Sequence, residues 1–344
     1  MRILLATAAS LALTGGFHGA AMAQTGNSTS VTTQDHLEGA NYFELESSLP
    51  FKAPDFDAIS EDDYLPAFEK AMAIQKHEIQ RIIDNPEPPT FANTIVALEK
   101  SGRMLGRVGA VFFQLTGTNT NDRLDEINTE ISPRLSAHSD SIVLNPALFA
   151  RVKAVYDNRA AMSMTREDAK LLEETYKSMV HAGAELTDAE RERVKEINTE
   201  LSTVTTEFAQ EARNAMADQP VFFDSREELA GLSESDITSA AKLAAEEGQP
   251  GKFAIALQNT TQQPLLPTME NRAAREKLFM ASYHRADGRM DVDTRMLIAK
   301  IATLRAQKAA LFGEPDWASY AMWDRMAEKP ETALGFMEQM VPAL

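Results

Sequence analysis

The run from Ser60 to Gly102, SEDDYLPAFEKAMAIQKHEIQRIIDNPEPPTFANTIVALEKSG, commits the chain to a helix, a proline-stiffened turn and a second helix. Leu65, Phe68, Met72, Ile79, Ile82 and Ile83 fall mostly at helical spacing and make one apolar face. Pro66 falls in the first turn, where its missing N–H does little harm. The segment Asn85 to Thr90 holds three prolines and cannot continue a helix, because each removes a donor and pushes its predecessor toward extended geometry. A second face follows at Phe91, Ile95, Leu98, Gly102, Leu105, Gly109 and Phe112. Its two glycines are predicted to be contact points that let a neighbouring helix come close.

Within the first helix, His77-Glu78-Ile79-Gln80-Arg81 invites comparison with the zinc motif His-Glu-x-x-His, in which two histidines one turn apart hold the metal. Arg81 stands where the second histidine would be. A guanidinium only donates and stays charged, so it repels a metal ion rather than ligating it. The pair is read as part of a solvated polar face.

At 344 residues the chain has room for one large or two ordinary domains. Its 51 Asp and Glu against 34 Lys and Arg give a net charge of −17, which argues against nucleic acid as a partner. The N-terminus has the pattern of a secretory signal: Met1-Arg2, an apolar run from Ile3 to Leu13, and Ala21-Met22-Ala23 around a cleavage point. A signal peptide is therefore expected over residues 1–23 and a flexible Ser/Thr/Gln-rich leader over 24–40. The apolar run is too short and interrupted for a stable membrane span, and there is no cysteine for a disulfide or a lipid. Export to a bacterial periplasm is the expectation, with secretion as the alternative.

From Asn41 onward the pattern is mostly α. Asp122 to Ser141 is helical but predicted to break at Pro133, Ala147 to Tyr156 is a short helix, and Thr165 to His181 starts at a Thr cap. Thr187 and Glu190 form a capping box for a long helix to about Met216, with Val194, Ile197, Leu201, Val204 and Phe208 as its stripe. A small β element is expected near 221–257: strands at Val221–Phe223 and Lys252–Leu257 flank a helix that Ser233 caps and Gly248 ends. Helices follow at Asn271–His284, Asp293–Leu311, Pro315–Met326 and Pro330–Met340. Leu334, Phe336, Met337, Met340 and Val341 ask for partners at the end of the last one, so an N-terminal piece of something longer is expected.

Few motifs carry chemistry. None of His36, His77, His138, His181 and His284 has a second histidine at ligand spacing, so neither a catalytic nor a metal-binding residue is assigned. Glu173 and Glu174 beside His181 are read as ordinary helix surface. There is no nucleophile elbow, phosphate-binding loop or dinucleotide fingerprint, and no thiol. The polar run Gln258 to Gln263 is the most unusual. Gln258, Asn259 and Gln262 are its candidate substrate-binding residues, since amides both donate to and accept from an extended peptide. The competing reading is that the run caps a strand and leads into a helix near Met269. Tyr283-His284-Arg285 is read as carrying an interhelical, hydrogen-bonded histidine.

Three blocks, YLPAFEKAM…NPEPPTFANTIVALEKSG, GKFAIALQNTTQQPLLPTMENRAAREKLFMASYHRA and LRAQKAALFGEPDWASYAMWDRMAEKPETALGFM, together resemble the peptidyl-dipeptidases of the thimet oligopeptidase family of zinc metallopeptidases. The likeness runs collinearly from about Asn41 to Leu344. It implies a mostly helical fold of two lobes around a channel, a Zn2+ held by His-Glu-x-x-His and a downstream Glu, and release of C-terminal dipeptides from short peptides. In such sites zinc lowers the pKa of its water and the motif Glu moves the proton. The resemblance puts that apparatus in the C-terminal half, which 41–344 does not contain, so the chain is expected to be an inactive, monomeric N-terminal portion. The alternative reading is a non-catalytic helical periplasmic peptide-binding protein.

Overall fold

The computed structural model describes residues 41–217, 220–289 and 292–343; the expected signal peptide and leader fall outside them. A single 3-10 turn, Glu61–Asp63, closed by a reciprocal cap in which the Ser60 backbone N–H donates to Asp63 Oδ2 at 2.8 Å, leads directly into helix α1 (Tyr64–Ile83). Its first half buries Tyr64, Ala67, Phe68, Ala71 and Met72; its second half buries Ile79 and Ile82. The face is the expected one, widened by Tyr64 and two alanines. Packing divides the chain after Ser202 into two compact units.

In the first unit the chain turns at the prolines and re-enters a helix through a cap at Thr90, whose Oγ1 accepts from the Asn93 N–H at 3.1 Å. A wide π-helical turn, Phe91–Val96, runs into the short α2 (Ala97–Glu99). Gly102 then sits at φ 69°, in the left-handed region open to glycine, and α3 (Arg103–Thr118) begins anew. This corrects the expectation of one continuous face across Gly102. Because the break resets the helical phase, Met104, Val108 and Phe112 are buried, while Leu105 and Gly109 are only half-buried. Gly109 is no contact point, since a Cβ there would meet nothing nearer than its own helix's Phe113 at 3.8 Å. Gly102 does allow close approach: a Cβ there would lie 2.4 Å from Gln75 Nε2.

Helices α4 (Asp122–Val143), α5 (Pro146–Asp157), α6 (Arg166–Ala182) and α7 (Asp188–Ala217) follow. Pro133 lies inside α4 and does not break it. A proline removes one backbone bond at a cost of about 3 kcal/mol. Here Leu124, Ile127 and Ile131 are buried on the near side, and His138 and Asp140 on the far side, so packing holds both halves in line. Two apolar clusters result. One joins Phe43, Tyr64, Phe68, Phe112 and Ile131, with the Phe68 and Phe112 rings edge to face at 5.3 Å. The other joins Ile79, Ile82, Ile95, Leu148, Val152 and Leu172. On α7 the predicted stripe is deep at Val194 and Ile197, whereas Leu201, Val204 and Phe208 are half-buried.

The second unit is built on the expected strand, helix, strand order. Strands β1 (Val221–Phe223) and β2 (Phe253–Ile255) pair antiparallel in the register Val221 to Ile255 and Phe223 to Phe253. Between them α8 (Glu234–Glu246) starts at a Ser233–Asp236 reciprocal cap. β2 is shorter than the predicted six residues, because pairing ends where β1 ends. Helices α9 (Asn259–Leu265), α10 (Arg272–His284), α11 (Arg295–Leu311), α12 (Trp317–Ala321) and α13 (Pro330–Met340) complete the unit. Its core joins Val221, Phe223, Leu229, Ile255, Leu257, Met269 and Leu278. The predicted helix to Met326 stops at Ala321. Tyr320 is buried, but Trp323 and Met326 are exposed, so no apolar face remains to sustain it.

Among the described residues the chain is thus mostly helical with one small two-stranded β element. Among the described residues no helix is long and apolar enough to cross a membrane.

Candidate functional site

The polar run after β2 folds into its own short helix, α9, rather than leading on to one near Met269. Its three candidate residues take three different situations. Gln258 is exposed at the N-cap and its side chain caps nothing. Asn259 is exposed, and its Oδ1 accepts from Arg285 Nη1 at 3.1 Å. Gln262 is 2 % exposed, with its Oε1 lacking a hydrogen-bond partner. The same Arg285 nitrogen also donates to the Leu257 carbonyl at 3.0 Å, so the end of α10 is tied back to the segment just after β2. The fold therefore joins the two polar segments that the sequence singled out, through Asn259 and Arg285.

His284, the last residue of α10, is satisfied by its own loop and not by another helix, which corrects the interhelical reading. Its Nδ1 lies 2.8 Å from Asp287 Oδ2 and its Nε2 lies 2.5 Å from Arg289 Nη1. Since a guanidinium only donates, Nε2 accepts and Nδ1 carries the proton given to Asp287. Burial raises the Asp287 pKa, but the His284 hydrogen bond, the Arg289 backbone N–H and the neighbouring charges outweigh it and leave it lowered. Ala286 adopts φ 64°, unusual for a residue with a Cβ, and its carbonyl accepts from both the backbone N–H and the Oγ1 of Thr294, at 2.8 and 3.0 Å. Arg295 grips Asp293 with two parallel bonds of 2.8 and 2.7 Å, its side chain and backbone N–H lowering that carboxyl to about 2. This loop spends its charges on holding its own shape. Beside it Phe279, Met280 and Tyr283 of α10 and Met296 and Ile298 of α11 are exposed.

In the first unit, His77 and Arg81 are exposed, but Glu78 is not idle. Its Oε2 accepts the Gly102 backbone N–H at 2.7 Å, fastening the turn before α3 to α1. That corrects the reading of Glu78 as mere solvated surface. Glu173 pairs with Lys177 and Lys170, and Glu174 with Lys170, as ordinary helix-surface charges do. His138 is buried, with Nε2 2.7 Å from Gln75 Oε1. Burial, helped by the Lys76 charge, lowers its pKa to about 4.

Among the described residues, no three His, Cys, Asp or Glu side chains come together in a way that could hold a metal ion. The Arg285 tie, the Glu78 latch and the exposed apolar faces of α10 and α11 were not anticipated. The latch had a signal: Lys100-Ser101-Gly102 is a helix-stop pattern.

Residues 265–344, from the end of α9 through α13, match Peptidase family M3. The chain is 42 % identical over 303 residues to the dipeptidyl carboxypeptidase of Escherichia coli (strain K12), covering 88 % of this chain and 44 % of that protein. It is 40 % identical over 297 residues to the dipeptidyl carboxypeptidase of Salmonella typhimurium, covering 86 % and 44 %. Against the oligopeptidase A of Escherichia coli the identity is 24 % over 295 residues, covering 85 % and 43 %. The resemblance to dipeptidyl carboxypeptidases thus runs along most of this chain, which spans less than half the length of the curated relatives it matches.

Proposed function

We propose that residues 41–344 are the N-terminal portion of a zinc-dependent peptidyl-dipeptidase of the M3, or thimet oligopeptidase, family, contributing one lobe and part of a peptide channel. The observation that carries this reading is the 42 % identity sustained over 88 % of the chain but only 44 % of the relative. The whole protein would release C-terminal dipeptides from short peptides. This portion supplies scaffold and wall, with Gln258, Asn259 and Gln262 as candidate peptide contacts and no catalytic residue.

Zinc is the cofactor this reading implies for the whole protein, where it would polarise the scissile carbonyl and activate water. The residues described here do not fit it. No His-Glu-x-x-His stands in the 344 residues, and among the described residues no acid and histidine cluster substitutes for one. No catalytic step is therefore assigned to this chain, and alone it is inactive. Residues 1–23 would direct export to the periplasm, or secretion, and the mature protein would act as a monomer.

The exposed apolar positions of α13 also support a portion over a complete small protein. Leu334 is 54 % exposed, Phe336 64 % and Val341, just beyond, 63 %, a run of apolar side chains facing water of the kind that marks an interaction surface. A non-catalytic peptide-binding protein is the rival, and it requires this surface to be stable in water. Reading the gene beyond the Leu344 codon separates the two. An in-frame His-Glu-x-x-His is expected; a stop codon with no such motif after it would end the proposal.

A further inference from the structure

The first unit holds a cavity of about 340 Å³ between the C-terminal half of α1 and the α2 turn, a size at the lower end of small-ligand sites. Arg81 and Lys100 line it, both exposed, and among the described residues neither side chain makes an ion pair or hydrogen bond. On a chain with net charge −17, two cations without carboxylate partners, Arg81 and Lys100, line the same cavity. The carboxylate that also lines it, Glu78, is already engaged by the Gly102 backbone N–H, which partly offsets its charge. Ile82 and Ala97 supply an apolar wall. Arg151 adds a third cation nearby, with Nη2 reaching the lining residue Asn93 at 3.4 Å and Nη1 the Asn85 carbonyl at 2.9 Å.

We propose that this cavity is a binding site for a small oxyanion, the phosphate or carboxylate group of a small molecule, clasped between Arg81 and Lys100. Charge-assisted bonds from guanidinium and ammonium to such groups are among the stronger polar contacts, and Arg presents a fork that matches either geometry. The position that cannot serve a metal because it is Arg81 is, for the same reason, suited to an anion. The site is independent of the peptidase reading, since it uses none of the candidate peptide contacts.

The test is calorimetric titration of the full chain with inorganic phosphate and, separately, with acetate, each at constant ionic strength set with chloride. Binding in about the millimolar range or tighter is expected for at least one of them. Arg81→Gln and Lys100→Gln should each weaken it by about tenfold or more, the loss of one charge-assisted contact. Both positions are exposed, so unchanged circular dichroism of the variants is expected, and Lys242→Gln in the second unit serves as the control that should bind as wild type. A response to phosphate alone assigns a phosphate group, and a response to acetate assigns a carboxylate. Absence of saturable binding to both, or equal binding by the two variants and the wild type, would overturn the proposal.

Discussion

Two histidines, one in each unit, show how differently the two halves of this chain handle a titratable group. His138 lies inside the packed helices of the first unit, 6 % exposed, with a neutral amide, Gln75, beside its Nε2 and a pKa lowered by burial to about 4. His284 lies at the end of a helix in the second unit, held between an aspartate and an arginine of its own loop. The first is shaped by burial and the second by pairing. The contrast extends to the surroundings. The region around α1 is organised by apolar faces and by carboxylates that cap backbone N–H groups, as Glu78 does for Gly102, whereas residues 284–289 and 293–295 are organised by charges that pair with one another.

If burial rules the first unit, its largest sensitivity is to lost packing. Phe112→Ala removes a ring that packs on both Tyr64 and Phe68 and should cost about 3–5 kcal/mol in urea unfolding. A loss comparable to a surface substitution would break the comparison at once. The next effect is acid sensitivity. Unfolded His138 binds a proton near its ordinary pKa of 6.5, while folded His138 resists until about 4, so above 6.5 the group is neutral in both states. As pH falls through that window the unfolded state gains the proton first, and stability drops by up to about 3 kcal/mol. His138→Gln should flatten that part of the pH profile, and an unperturbed imidazole titration by NMR would contradict the burial account.

Gly102→Ala should cost about 1–3 kcal/mol, because a side chain there is strained at φ 69° and collides with Gln75, the partner of His138. In the second unit the expected effects are smaller. Arg285→Met removes the tie to the Leu257 carbonyl and Asn259 and should cost about 0.5–1.5 kcal/mol by the same unfolding measurement. Smallest in stability, Arg289→Gln should leave the melting curve nearly unchanged while moving the NMR signal of His284 Nε2, which loses its charged donor. A large destabilisation from that change would show that the loop, too, is governed by packing.

Much of this architecture is legible in the sequence because periodicity and caps report local physics. α1, its proline turn, the Thr187–Glu190 cap and the strand, helix, strand order of the second unit all follow from spacing of three or four and from Ser, Thr and Asn at helix starts. What fails to follow depends on residues distant in the chain. Pro133 reads as a break because local geometry disfavours it, and only burial on both sides of it overrides that preference. Gly102 reads as a contact on one helix face, whereas Glu78, 24 residues earlier, latches its N–H where the helix stops. Of the polar candidates, the run around Gln258 and the His284 segment are visible in sequence as unusual, but their connection through Arg285 is a product of the tertiary fold. Wording similar to that of dipeptidyl carboxypeptidases is spread over most of the chain and is legible even where no single residue carries chemistry.

Incubation of the purified chain with zinc and a short N-terminally blocked peptide tests most directly the proposal that this chain supplies scaffold and no catalytic centre. Mass analysis should find the peptide intact; zinc-dependent release of its C-terminal dipeptide would contradict the account.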